Sequence, residues 1–342
     1  MKHPLSNCIV FSALALAAQV ASAQTYREPV NHRARSVKAP IVSDHAGHRI
    51  ARFDHDAWIG SMWQPDDGVD EVVIGRNATV TGSILVPSSR TKPLTIRGED
   101  RHTSRLVGTG TFEWNREESD LSRRHSAIFV DTTRPVTIRT LTSLNPDKYH
   151  FVGYNHTQLI VEDADIIDDR LAYTTDGIGG GRGTTVRNVF IDTYDDGIKV
   201  YAPDMVIEDV TIVHNRNGAP LQFGWGGEQG SATIRNLTVI ANEPQIYNQG
   251  VFARAAQRGE KNARPLAGSA KVEGFRLIVP EGKRSPPLFM WGTPDGQQIK
   301  DFTLTVEGLC SGAEPTYRQR GDFDVVERGN SDKVRLVTPD CR

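Results

Sequence analysis

Residues 186–191 read Val186-Arg187-Asn188-Val189-Phe190-Ile191, an order of apolar, variable, polar, apolar, variable, apolar. The same order returns as Ile207-Glu208-Asp209-Val210-Thr211-Ile212 and Ile234-Arg235-Asn236-Leu237-Thr238-Val239. Later copies are Val272-Glu273-Gly274-Phe275-Arg276-Leu277 and Ile299-Lys300-Asp301-Phe302-Thr303-Leu304. Val161 to Ile166 keeps the order with a weakened centre, and Ile138-Arg139-Thr140-Leu141 is a fragment of it. The copies start at positions 138, 161, 186, 207, 234, 272 and 299, so the step from one to the next is similar but uneven. Such steps fit coils whose core strands keep their length while the outer loops vary.

Runs rich in Val, Ile and Thr, bounded by Gly, Asn, Asp and Pro, read as strands, and no amphipathic helix of three turns stands out. A sandwich or propeller would use similar strands. The recurring Asn or Asp between apolar positions favours stacked coils, because its side chain can sit at a bend and meet the backbone of the next coil. The expected fold is therefore all-β: a single-domain parallel β-helix over residues 71–310, with an apolar axis and its chemistry on the outside. Residues 24–70 lack the repeat and carry Trp58, Trp63, His32, His45, His48 and His55. They are expected to cap the open end of the stack, with residues 311–342 as a C-terminal tail or cap. The pair His45 and His48 lacks the cysteines or tight carboxylates of a zinc site and reads as solvated.

Residues 1–23 have the form of a secretory signal: Met1-Lys2-His3, an apolar run from Ile9 to Ala18, and Ala21-Ser22-Ala23 as the cleavage site. The run is about half the ~20 residues of a membrane span. Cleavage after Ala23 would give a secreted or periplasmic protein with no membrane association. Two cysteines would then remain, Cys310 and Cys341, as a disulfide or as two free thiols. Forty Lys and Arg against 42 acids leave a net charge of −2, which provides no basic field for nucleic acid.

Two acidic segments interrupt the ladder, Thr174-Thr175-Asp176-Gly177-Ile178 and Tyr194-Asp195-Asp196-Gly197-Ile198-Lys199-Val200-Tyr201. Asp176 and Asp196 precede the same Gly-Ile pair, and their separation is close to one coil, so they are expected to stack on adjacent rungs. Asn217-Gly218, a further coil along at nearly the same step, is read as the next occupant of that position. Stacked carboxylates repel, which raises at least one pKa. With Asp195 beside them, they suit general acid and general base work on a glycosidic bond. An Asp ladder for turns or for Ca²⁺ fits the spacing equally well. Asp168-Asp169 lies out of register with the ladder and reads as a loop pair. Trp225, Trp291, Tyr201 and Tyr247 are candidate platforms for sugar rings, whereas Phe223 and Phe289 read as core.

The Asp-Asp-Gly-Ile-Lys-Val-Tyr stretch at 195–201 follows Thr-Asp-Gly-Ile at 175–178 and precedes Gln-Phe-Gly-Trp at 222–225. In that order they resemble glycoside hydrolase family 49, the dextranases and isopullulanases, which shares a clan with the family 28 polygalacturonases. The resemblance implies a right-handed parallel β-helix and an inverting mechanism without a metal or other cofactor. It also implies Asp195 as general acid, and Asp176 and Asp196 as the carboxylates that activate water. Lys199 and Tyr201, with Gln222, Trp225, Asn217 and Trp291, would bind a polysaccharide or oligosaccharide. The Gly-His-Gly and Arg-Ile-Lys motifs that polygalacturonases carry are absent, which points to a neutral α-glucan. Other polysaccharides, a non-catalytic glycan-binding helix and a Ca²⁺-dependent lyase are the competing readings.

Overall fold

The computed structural model describes residues 39–110, 123–154, 156–171, 175–225, 230–255, 268–292, 302–311, 316–320 and 334–337. Ala34–Arg342 forms one compact unit. Among the described residues there are 26 strands. Apart from the first pair, every strand pairing is parallel and joins one coil to the next, which defines a parallel β-helix.

The repeat has a physical origin in one backbone conformation. In a regular strand, inward positions alternate, yet the pattern buries its first, fourth and sixth residues, as Val186, Val189 and Ile191 illustrate. The third residue resets the phase by adopting the left-handed region. Thr140, Asp163, Asn188, Asp209 and Asn236 have φ of 58°, 51°, 49°, 55° and 54°, and Gly274 and Gly308 have 73° and 76°. Asn, Asp and Gly are the residues that enter this region at low cost. Their side chains then bond along the column: Asn188 Nδ2 donates to Asp163 Oδ1 (2.6 Å), and Asn236 Nδ2 to Asp209 Oδ1 (2.9 Å). The sequence expectation placed these side chains on the backbone of the next coil, but in these two pairs they meet the side chain of the neighbouring coil.

The residue before each bend forms an exposed column in which charges alternate: Glu162, Arg187, Glu208, Arg235 and Glu273. Arg187 bridges Glu162 (3.8 Å) and Glu208 (2.7 Å), and Arg235 bridges Glu208 and Glu273. In the interior, Ile84, Ile128, Phe151, Ile178, Ile198, Leu221 and Phe252 stack in register with no exposed surface.

Three boundaries differ from the sequence expectation. The winding begins before residue 71, because His48–Phe53 pairs in parallel with Glu71–Ile74, and Ala57–Trp63 with Thr79–Val86. Phe53, Ala57 and Ile59 already belong to the core, and Trp63 packs against it. Among the described strands of the cap segment, the antiparallel Ile41–His45 lies outside this ladder. Its His45 and His48 flank a tight turn in which Asp44 Oδ1 accepts from the Gly47 N–H. At the other end, Thr316–Arg320 and Val334–Val337 extend the ladder past residue 310. Finally, the last repeat is Val306 to Ser311 and not Ile299 to Leu304, since Val272 pairs with Val306 and Phe275 with Leu309. Gly308 occupies the bend of that copy. Residues 1–23, including the expected cleavage site, lie outside the described residues.

The bend column yields a direct test. Asn236→Val should lower stability by about 1–2 kcal/mol or more in urea unfolding, because a β-branched residue is strained at positive φ. Asn236→Gly should cost far less.

Candidate functional site

The site sits at the corner that precedes the inward column Phe151, Ile178, Ile198 and Leu221. Here the peptide ladder continues beyond the strands. The Gly177 N–H donates to Asp196 O (2.8 Å), the Gly197 N–H to Ala219 O (2.8 Å), and the His150 N–H to Asp176 O (2.9 Å). Tyr149, Asp176, Asp196 and Ala219 therefore occupy one column, one coil apart. The expected stacking of Asp176 on Asp196 is observed. The next occupant, however, is Ala219 and not Asn217, because the coil from Ile198 to Leu221 is longer than the coil from Ile178 to Ile198. Asn217 instead accepts from Asn248 Nδ2 (3.2 Å).

Close approach between coils dictates the glycines. A Cβ on Gly177 would lie 2.3 Å from Gly197 O, and one on Gly218 would lie 2.0 Å from the carbonyl carbon of Asp195. Gly218 thus seats directly against the Asp195–Asp196 peptide.

Asp176, Asp195 and Asp196 converge so that a carboxylate oxygen of each lies within 4.8 Å of the others. Asp176 and Asp196 are buried and Asp195 is partly exposed. Asp196 Oδ1 accepts from the Ala219 N–H (3.0 Å), and Asp176 forms an ion pair with Lys199 Nζ. The same ammonium lies over the rings of Tyr149 (4.5 Å) and Tyr201 (5.7 Å). Lys199 points outward because its neighbour Ile198 points in. Asp195 has its carboxyl raised well above the usual carboxylate range, first by its enclosure, then by the charges of Asp176 and Asp196, with Lys199 and the Asp196 N–H opposing. The cluster thus combines an ion-paired carboxylate, a carboxylate held by a backbone N–H of the next coil, and a third whose pKa is raised by burial and by its negative neighbours. Because an ammonium already covers Asp176, the arrangement suits acid–base chemistry better than the all-oxygen shell of a Ca²⁺ site.

The remaining predicted residues fare unevenly. Lys199 and Tyr201 lie at the carboxylates. Gln222 pairs in register with Lys199 but is 1% exposed, so it presents no open surface. Tyr247 is 2% exposed and packs on His214, so it offers no platform. Trp225 and Trp291 fall on the strands Leu221–Trp225 and Pro287–Gly292 of this face, but their side chains, like that of Phe289, lie outside the described residues. Phe223 is core, as expected. Asp168 lies just past the strand Asp165–Ile167, as the loop reading expects, but it is fully buried and its N–H continues the ladder to Asp192 O (2.8 Å). Its carboxylate is held by Arg170 Nε (2.9 Å) and Nη2 (2.7 Å).

Sequence reasoning missed Tyr149 and the structural part of Gly218. Tyr149 stands two positions before Phe151, the same offset that separates Asp176 from Ile178. The repeat is too degenerate in that coil to reveal it.

No family model matches the chain. It is 30% identical over 200 residues to a dextranase of Arthrobacter sp. (strain CB-8), which covers 55% of this chain and 31% of that protein. It is 29% identical over 188 residues to a dextranase of Arthrobacter globiformis, covering 51% and 29%. The chain thus spans about a third of the length of these curated relatives. Among solved structures, Dex49A from Penicillium minioluteum superposes with a TM-score of 0.52 at 16% identity, over 77% of this chain and 54% of that one. The resemblance read from the motifs is borne out, and the likeness to Dex49A bears out the fold.

Asp195 couples stability to pH. Its folded pKa lies above its unfolded value, so its contribution is full below the unfolded pKa and is lost as pH rises through the folded one. Asp195→Asn should therefore melt at a higher temperature than the wild type at neutral and alkaline pH. Calorimetry across pH 4–8 should show the difference growing with pH.

Proposed function

We propose that this chain is an exported glycoside hydrolase that cleaves a neutral α-glucan of dextran or pullulan type with inversion. Asp195 protonates the departing glycosidic oxygen. Asp176 and Asp196 orient a water and take its proton as its oxygen bonds to the anomeric carbon and the C–O bond breaks. Lys199 keeps Asp176 charge-paired beside the acid. Tyr201 offers a ring face to the sugar, and Tyr149 holds Lys199 in place from below. The observation that carries the reading is the convergence of the three carboxylates, one of them with its pKa raised, on a chain similar to dextranases.

Two features support the finer points. Residues 1–23 have signal form, and Cys310 is disulfide-bonded, a bond typical of oxidising compartments. The partner of Cys310 lies outside the described residues. Polygalacturonate would require cationic groups for each sugar carboxylate, whereas Lys199 is already engaged by Asp176.

The close approach of the carboxylates, one oxygen of each within 4.8 Å of the others, favours a second stereochemistry. Carboxyls about 5 Å apart suit retaining enzymes, and inverting pairs are usually about 6.5–9.5 Å apart. The inverting reading rests on two carboxylates sharing one water, so that neither is required to attack the sugar. Following the anomeric configuration of products from dextran by proton NMR decides between them: the first-formed reducing end should be β from an α-linkage.

Incubation with dextran, pullulan and polygalacturonate should release new reducing ends from one of the two glucans and not from polygalacturonate. Asp195→Asn should lower kcat by about 10²–10⁴-fold with the fold intact, and wild-type rates in that variant would remove Asp195 from the acid role. Because the acid must be protonated, kcat should fall on the alkaline side as pH rises through the raised pKa of Asp195. Binding without product on every glycan would support the non-catalytic glycan-binding helix, and chelator-sensitive release of unsaturated products the Ca²⁺-dependent lyase.

A further inference from the structure

The acid is pinned from two sides. Thr193 Oγ1 donates to Asp195 O (3.2 Å) from the coil that carries it. From the next coil, the Gly218 N–H donates to Tyr194 O (3.2 Å), and the Gly218 backbone abuts the Asp195–Asp196 peptide. The Gly218 carbonyl in turn meets His214 Nε2 at 3.0 Å.

His214 is 1% exposed and fixed by its surroundings. Its ring lies 4.4 Å from that of Tyr247, whose phenol oxygen accepts from the Glu243 N–H (2.9 Å). A carbonyl only accepts, so Nε2 must carry the proton of the neutral ring. Nδ1 is then a bare acceptor, and among the described residues it has no hydrogen-bond partner. Burial keeps the ring neutral, its pKa pushed down to about 3. An apolar residue of similar shape would avoid the cost of the unmet acceptor. The histidine is therefore explained by what Nε2 does, not by packing.

We propose that His214 is a positioning residue for the general acid: its Nε2–H fixes the Gly218 carbonyl, and through the Gly218 backbone it sets the place of Asp195. This rests on the reading of Asp195 as the acid. The role differs from that of a catalytic histidine, since a ring enclosed behind Gly218 and Tyr247 meets no substrate.

Three variants test it, each checked for folding by circular dichroism. In His214→Gln the amide nitrogen can take the place of Nε2. In His214→Asn the shorter amide cannot reach, and in His214→Leu there is no donor. A misplacement of about 1 Å costs on the order of 10²-fold in rate. His214→Asn and His214→Leu should therefore lose about 10–100-fold in kcat with KM within about 3-fold, and His214→Gln should recover to within about 5-fold of wild type. A folded His214→Asn with wild-type kcat, a loss confined to KM, or a His214→Gln as impaired as His214→Asn would overturn the proposal. Crystal structures of the variants supply a readout independent of turnover. The Asp195–Asp196 peptide should shift by about 0.5–1 Å in His214→Asn and stay in place in His214→Gln. An unmoved peptide in His214→Asn overturns the positioning role. Asp195→Asn in the same assay separates the two claims: if it keeps full activity while the His214 variants displace the peptide, the acid assignment fails and the positioning geometry stands.

Discussion

Like charges stacked one coil apart are the constraint on which this protein turns. A parallel β-helix places equivalent residues of successive coils at strand spacing, about 4.8 Å, so any column must settle what happens when side chains superpose. On the exposed face the answer is alternation, with Glu162, Arg187, Glu208, Arg235 and Glu273 pairing up and down the stack. At the corner before Ile178 and Ile198 the answer is reversed, and Asp176 lies under Asp196 with Asp195 turned toward both. Among the described residues, Lys199 pairs with Asp176 there. A fold that manages stacked charges elsewhere but concentrates them here has placed its polar conflict where chemistry can use it.

The sequence made the solenoid legible because its repeat records a backbone event. A left-handed residue at the third position shifts the inward phase, and only Asn, Asp, Gly and a tolerated Thr stand there. Where coil length changes, the same reasoning slips. The step from Ile198 to Leu221 is longer than that from Ile178 to Ile198. Extrapolating a constant coil therefore places Asn217 where Ala219 belongs. The long coil between Val272 and Val306 displaces the last repeat for the same reason. Insertions in outer loops leave the ladder intact and carry no local mark of their length.

The site was legible to the extent that it is written in short-range order. Asp-Gly-Ile twice, at a spacing of one coil, brings Asp176 and Asp196 together, and Asp195 follows by adjacency. Contacts made between coils left no such trace. Tyr149 reaches Lys199 from a coil whose repeat is degenerate, and the burial of Asp168 beyond its strand, by the ladder bond to Asp192 and the Arg170 fork, has no local mark. Burial also reverses the role of Gln222 and Tyr247. Both have residue types that suit a sugar, yet their positions enclose them, and residue type alone does not report solvent access.

The geometry also explains why the three carboxyls of one corner differ. Asp176 faces an ammonium and Asp196 a backbone N–H of the next coil, so each has a partner that favours negative charge. Asp195 has its backbone carbonyl fixed by Thr193, while its carboxyl meets two negative neighbours in an enclosed place, and these outweigh Lys199 and the Asp196 N–H. The asymmetry therefore arises less from the three side chains, which are identical, than from the backbone that presents them. The Gly218 approach, possible only without a Cβ, helps set which carboxyl is left with the weaker compensation. In this protein the difference among the three carboxyls follows from how closely two coils can pack.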